Sequence, residues 1–248
     1  MAEFNNKLIL ICGVSGTGKT FSFRNLPNKQ NWWYMNTEAG KALPYRGRFQ
    51  KYPIVEPLDL FDAFDQGATD PDCAGIIVDS LTFLMDEFES NHVLAAGADT
   101  RKQWSNYNQY FKTLLQNKVP LFNKPTIFTA HVQEILDEKT GEYRTSVPIK
   151  GALKGQGVEA YFNLIVYTKK VPVKKLAKFE NDLLHITDEE KELGFKHVFQ
   201  TRITADTLGE RIRGPIDMFS KAETYIDNDV DLLLKRIDEY YADYDDAA

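Results

Sequence analysis

The residues best able to do chemistry stand near the start of the chain. Gly13-Val14-Ser15-Gly16-Thr17-Gly18-Lys19-Thr20 fits the pattern G-x-x-x-x-G-K-[ST] at every fixed position. Glycines there let consecutive backbone N–H groups turn inward around an oxyanion. Lys19 then supplies a point charge for terminal phosphate oxygens, and the Thr20 hydroxyl a ligand for Mg²⁺. The pattern points to ATP held by residues 13–20, with the ion beside it. Such a site needs a carboxylate for the metal. Gly75-Ile-Ile-Val-Asp79 offers one, an apolar run ending in an acid, which in P-loop enzymes stands beside the ion's water shell. Asp79 or Ser80 can equally cap the helix that follows, and both roles can hold together.

These groups need a scaffold. Leu8-Ile-Leu-Ile-Cys12 is short, continuous and β-rich, which predicts a strand buried on both faces and running into the glycine loop. A short helix follows, ending at Pro27, and its positive dipole end adds to the anion site. Trp32 to Met35 and Ala74 to Asp79 read as further strands, and Leu81 to Ala95 as a helix. Trp104 to Val119 is the clearest helix, with Trp104, Tyr107, Phe111, Leu114 and Leu115 at spacings of three and four. Thr126 to Val132 is another strand. Strands alternating with helices predict an α/β fold, with a mostly parallel central sheet and helices on both faces. The second half reads differently. Asp137 to Gly141 is a turn between two extended segments, hence a projecting hairpin. Tyr161 to Thr168 and Phe195 to Thr204 make a β-rich C-terminal part, and Val230 to Tyr244 a last amphipathic helix. The charged stretch Lys169 to Glu192 reads as partly mobile.

Composition narrows the class. The 248 residues, 43% hydrophobic and 27% charged, are those of a globular chain with material for a sizeable core. The net charge of −6 hides an asymmetry. Lys139 to Lys178 carries nine Lys/Arg against two Glu, and Asp217 to Ala248 ten acids against three bases. Cys12 and Cys73 are too few for a disulfide framework and read as buried thiols of a cytoplasmic protein. The apolar run Leu8 to Cys12 is too short for a signal-peptide core or a bilayer span. The four His residues lack metal-ligand spacing, and no dinucleotide fingerprint or Ser/His/Asp triad competes with the phosphate loop.

At Tyr34-Met-Asn-Thr-Glu38-Ala-Gly40, an acid just past the second strand, the chain resembles the RecA-like recombinases. Val78-Asp-Ser-Leu81 is similar to their metal-binding strand with its trailing Ser. Lys124-Pro-Thr-Ile-Phe-Thr-Ala-His131 occupies the place of their γ-phosphate sensor strand. Gly151-Ala-Leu-Lys-Gly-Gln-Gly157 looks like the exit from their second DNA-binding loop. The likeness covers residues 7 to about 215, and the shortness of the chain suggests the small phage-encoded RecA-like ATPases counted among single-strand annealing proteins. It implies a RecA-like P-loop core over 1–215 with a C-terminal helix and acidic tail over 216–248. It implies Glu38 as the residue that polarises the attacking water, and His131 or Gln133 as phosphate sensor. It further implies single-stranded DNA as partner, a homo-oligomer with ATP at subunit interfaces, a single-stranded DNA-binding protein as a second partner, and the host cytoplasm as location. Because the loop opens at residue 13, the segment by which RecA docks onto its neighbour has no counterpart here, which argues against long filaments.

Single-stranded DNA needs cations along a backbone track and rings for bases. The loop 97–104 offers Arg101, Lys102 and Trp104, and the loop 134–157 offers Lys139, Arg144, Lys150 and Lys154 among flexible glycines. Both follow C-terminal strand ends, where α/β sheets bind ligands. Beyond the last strand, Arg211 and Arg213 stand two apart in Gly209-Glu-Arg-Ile-Arg-Gly-Pro215, the place of residues that in RecA-like assemblies reach a neighbour's γ-phosphate. A small-molecule P-loop kinase and a nucleotide-switched interaction protein are the alternative readings.

Overall fold

The structure, a computed structural model, describes residues 5–97, 100–138 and 141–245. Strands β1 (Leu8–Cys12), β2 (Trp32–Asn36), β3 (Gln50–Pro53), β4 (Gly75–Asp79), β5 (Thr126–Ala130), β8 (Leu164–Pro172), β9 (Phe195–Gln200) and β10 (Tyr225–Asp227) form one sheet, in the order β10-β9-β8-β1-β5-β4-β2-β3. Strands β6 (Gln133–Asp137) and β7 (Glu142–Ser146) pair separately as an antiparallel hairpin. From β3 through β8 the sheet is parallel, and β9 and β10 join by antiparallel pairing. Every residue of β1, β2, β4 and β5 is buried, because helices cover both faces. This is the expected α/β arrangement with a mostly parallel central sheet: β5 lies between β1, which feeds the glycine loop, and β4, which ends in Asp79.

One face carries α1 (Asp59–Thr69), α2 (Leu81–Phe88), α3 (Arg101–Thr113) and α4 (Val119–Phe122), whose Leu60, Phe64, Leu84, Tyr107, Phe111 and Phe122 pack on alternate residues of the strands. Short helices α5 (Leu153–Gln156), α6 (Val173–Leu176) and α7 (Asp188–Leu193) follow, and α8 (Val230–Asp245) covers the other face. Val230, Leu233, Leu234 and Ile237 of α8 pack with Phe23 and Leu26 there, at spacings of three and four. The last stretch of chain therefore contributes a strand and a covering helix to the same sheet. Cys12 and Cys73 are buried free thiols.

Several expectations change. β3 and α1 were not anticipated. The helix expected over Leu81 to Ala95 turns π-helical at Glu89–Val93, and that over Trp104 to Val119 starts earlier, at Arg101, and turns π-helical at Leu114–Lys118. The stretch expected to be partly mobile is packed instead. β8 runs on to Pro172, and Leu176 is fully buried with Val171, Val198 and Tyr225, against which Phe179, Leu184 and Ile186 also pack. A capping box between Thr187 and Glu190 fixes the start of α7. The charged residues of this stretch face outward around a small apolar cluster. Among the described residues no helix is long and apolar enough to cross a membrane.

Candidate active site

The glycine loop is shaped by two left-handed residues, Gly16 (φ +75°) and Gly18 (φ +106°). Gly13 is required for another reason: a Cβ there would lie 2.2 Å from Thr168 Oγ1, so β8 closes directly on the loop. Thr17 and Thr168 hydroxyls meet at 2.6 Å. Lys19 Nζ folds back, donating to the carbonyls of Gly13 (2.8 Å) and Val14 (3.1 Å). Burial pushes its ammonium down to about 8, against the opposite pull of Asp79 and Glu38. The helix after the loop is a six-residue 3₁₀ segment, Thr20–Asn25, too short to add the dipole expected of it.

Asp79 is 2% exposed and ends β4. Its Oδ2 accepts from Thr20 Oγ1 (2.7 Å) and Tyr34 Oη (2.6 Å), and its Oδ1 from Thr129 Oγ1. Burial, with Asp79 alongside, raises the Tyr34 phenol, so it stays a proton donor to the carboxylate. Thr37 links the ends of β2 and β4: its N–H donates to Asp79 O (3.0 Å), its hydroxyl to Ser80 O (2.7 Å), and it accepts from Ser80 N (2.7 Å). Glu38 therefore emerges beside Asp79. Its Oε2 takes Lys41 Nζ at 2.9 Å, and its Oε1 lies 3.4 Å from His131 Nε2. The other ring nitrogen of His131, Nδ1, is 3.4 Å from Lys19 Nζ. With lysine as donor to Nδ1, Nε2 carries the hydrogen and points it at Glu38. That hydrogen bond, helped by Lys41, holds Glu38 down to about 2. Glu38 is thus a permanent anion, suited to orienting a water molecule more than to removing its proton.

Lys19, Thr20, Tyr34, Glu38, Lys41 and His131 line one cavity of about 450 Å³, beside Ser15, Gly16 and Gly18. Residues 5–192 match the AAA domain family. The chain belongs to that family. Among solved structures it is similar to the crystal structure of the RadB recombinase, at 17% identity and a TM-score of 0.40, over 67% of this chain and 76% of that one. No curated protein matches it by sequence. The P-loop and the family together make it a nucleotide-binding ATPase domain.

In this AAA domain the structure gathers Ser15, Gly16, Gly18, Lys19, Thr20, Glu38 and His131 around one space, with Asp79 buried behind Thr20 and Gly13, Val14 and Thr17 outside the lining; it leaves Gln133 on the hairpin, lining a different cavity. It also adds residues that the motifs do not contain. His197 of β9 lines the nucleotide cavity and holds Thr17 O at 2.8 Å through Nδ1. Asn228, ahead of α8, donates to Gly18 O at 3.1 Å. The loop is thus tied from the far end of the chain.

The expected DNA contacts scatter. Lys139 lies outside the described residues. Arg101 and Lys102 open α3 and are exposed; Trp104 packs partly against the core, and Gly151 lies against it, so the two expected loops meet. Lys150 is paired with Glu89 of the π-helical turn, its side chain still 55% exposed. Arg144, Lys154 and Arg211 line a second cavity of about 250 Å³. Arg211 Nη1 binds Glu159 at 2.9 Å, and that carboxylate is 4% exposed. Arg213 pairs through its backbone with Ile165. Neither arginine lines the nucleotide cavity of its own chain.

Proposed function

We propose that this AAA domain hydrolyses ATP with Mg²⁺ and acts on single-stranded DNA in phage recombination, annealing or replication. The observation that carries the hydrolytic part is the chain of contacts Lys19–His131–Glu38, running from the phosphate loop to an anion placed for water. The Thr20 hydroxyl and Asp79 carboxylate, already in contact, are hard oxygen donors suited to Mg²⁺. Among the described residues no cluster of three His, Cys, Asp or Glu could hold a metal by itself, which fits an ion completed by phosphate oxygens and water. Thr20 and Asp79 would hold the ion, and it would supply positive charge to offset that of the phosphates. Lys19 leaves the Gly13 and Val14 carbonyls for the phosphates, His131 reads the γ-phosphate, and Glu38 orients water in line.

The DNA reading rests on charge and on connection. The hairpin of β6 and β7 starts two residues beyond His131, so a change at the phosphate reaches the cavity of Arg144 and Lys154 along the backbone. To serve a neighbouring subunit in a homo-oligomer, Arg211 has first to leave Glu159. A small-molecule kinase is less well supported, since residues 173–193 pack beside β9 and do not line the cavity as a lid.

Steady-state ATPase, with and without single-stranded DNA, tests the proposal. Lys19→Ala should abolish turnover with the fold kept. Glu38→Gln should bind ATP and lose about 10²–10³ in rate, the scale for loss of one group positioned for the transition state. Normal turnover in a folded Lys19→Ala protein refutes the site. A wild-type rate that ignores single-stranded DNA refutes the substrate.

A further inference from the structure

We propose that Lys41 is a further catalytic residue of this site, the cation that neutralises the γ-phosphate as it transfers, supplied in cis. The proposal rests on the ATPase reading and deepens it. Hydrolysis forms a bond from the water oxygen to the γ-phosphorus as the bond to the β–γ bridging oxygen breaks. The electron pair leaves on ADP, and the water proton ends on the released phosphate. Charge spreads over the phosphoryl oxygens on the way, and ATPases of this kind place a cation there. Lys19 and Lys41 are the two lysines lining the cavity, and among the described residues no arginine lines it.

The geometry makes Lys41 the mobile partner. Each Glu38 oxygen has one partner, Oε1 near His131 and Oε2 by Lys41, and release of Lys41 leaves Oε2 wholly open to water. The Lys41 side chain is 71% exposed and that of Glu38 11%. The Lys41 backbone is fixed: its N–H donates to Glu38 O (3.0 Å) and its carbonyl accepts from Asn36 Nδ2 (2.9 Å), across a turn with Ala39 and Gly40 at positive φ. The ammonium can therefore swing on a fixed stem. One movement frees the Glu38 oxygen for water and brings a positive charge to the phosphate. Lys41 already shares the field of the site, since its charge acts on Lys19 and the charge of Asp79 acts on it.

The test combines turnover with trapping of fluorescent ADP by aluminium fluoride, which mimics the transferring group and needs no hydrolysis. Lys41→Ala should lower kcat about 10²–10³-fold, the scale for loss of one transition-state donor, with ADP affinity unchanged and trapping lost. Lys41→Arg should restore trapping. If wild-type protein traps ADP through Lys41 but does not turn over, the ATPase reading fails and the contact stands. If Lys41→Ala traps and turns over like wild type, the contact is refuted. A loss that vanishes at higher pH also refutes it, because Lys41 would then act only by holding down Glu38. Mixing Lys41→Ala with Lys19→Ala protein should restore nothing; recovery would overturn supply in cis.

Discussion

Lys19 gives a quantitative expectation that follows from its burial. In the free protein its ammonium is held down to about 8, desolvated and bonded to two neutral carbonyl oxygens. A triphosphate exchanges those for anionic oxygens, which favour the charged form. Binding therefore takes up the proton that the free protein has partly released. The sign follows: the bound pKa lies above the free one, so affinity is full below about 8 and falls as pH rises through it. If the bound lysine stays protonated, affinity tracks the protonated fraction of the free lysine. That fraction drops about tenfold between pH 7 and 9, or about 1.4 kcal/mol. An ordinary lysine near 10.4 would leave the affinity almost flat over that range. Equilibrium binding of a fluorescent ATP analogue across these pH values reads the slope. Calorimetry at pH 8 in two buffers of different ionisation enthalpy should show uptake of about half a proton. Lys19→Arg carries its charge at every pH and should flatten the profile even where it binds more weakly. A flat wild-type profile, or an equal slope in Lys19→Arg, refutes the argument.

Two further expectations concern the basic residues of the second half. Arg211→Ala should lower the unfolding midpoint, since it strands the buried Glu159 carboxylate at a cost of about 1–3 kcal/mol. Arg211→Ala/Glu159→Gln should recover most of that in thermal denaturation, and failure to do so would show the pair is not what Arg211 stabilises. Arg144→Ala and Lys154→Ala should each reduce the salt slope of log K for single-stranded DNA by about 0.7, with basal ATPase retained. An unchanged slope in both moves the DNA track away from the second cavity.

What could be read in advance, and what could not, follows from where each contact closes. Residues 13–20 and the run ending at Asp79 were legible because their chemistry is written in neighbouring positions, and the buried parallel strands because each is a continuous apolar run. β3 left no such trace: all four of its residues are exposed, at the edge of the sheet. α1 did leave one, Leu60 and Phe64 one turn apart, blurred by the acids and Gly67 among them. Charge told only half where its partner was distant. Lys150 pairs with Glu89, 61 residues earlier, and nothing near Lys150 in the chain marks that partner. His197 and Asn228 reach back 180 and 210 residues to the phosphate loop, and nothing local marks either of them. The arginines show the limit most clearly. Ile212 is buried between exposed Arg211 and Arg213, as their spacing of two requires in an extended segment, but what Arg211 grips depends on Glu159. That acid is buried with one oxygen accepting from Val147 N, so its remaining oxygen requires a cation when the fold closes. The nearest one is Arg211, and proximity of that kind exists only once β7, β8 and the segment after β9 have come together.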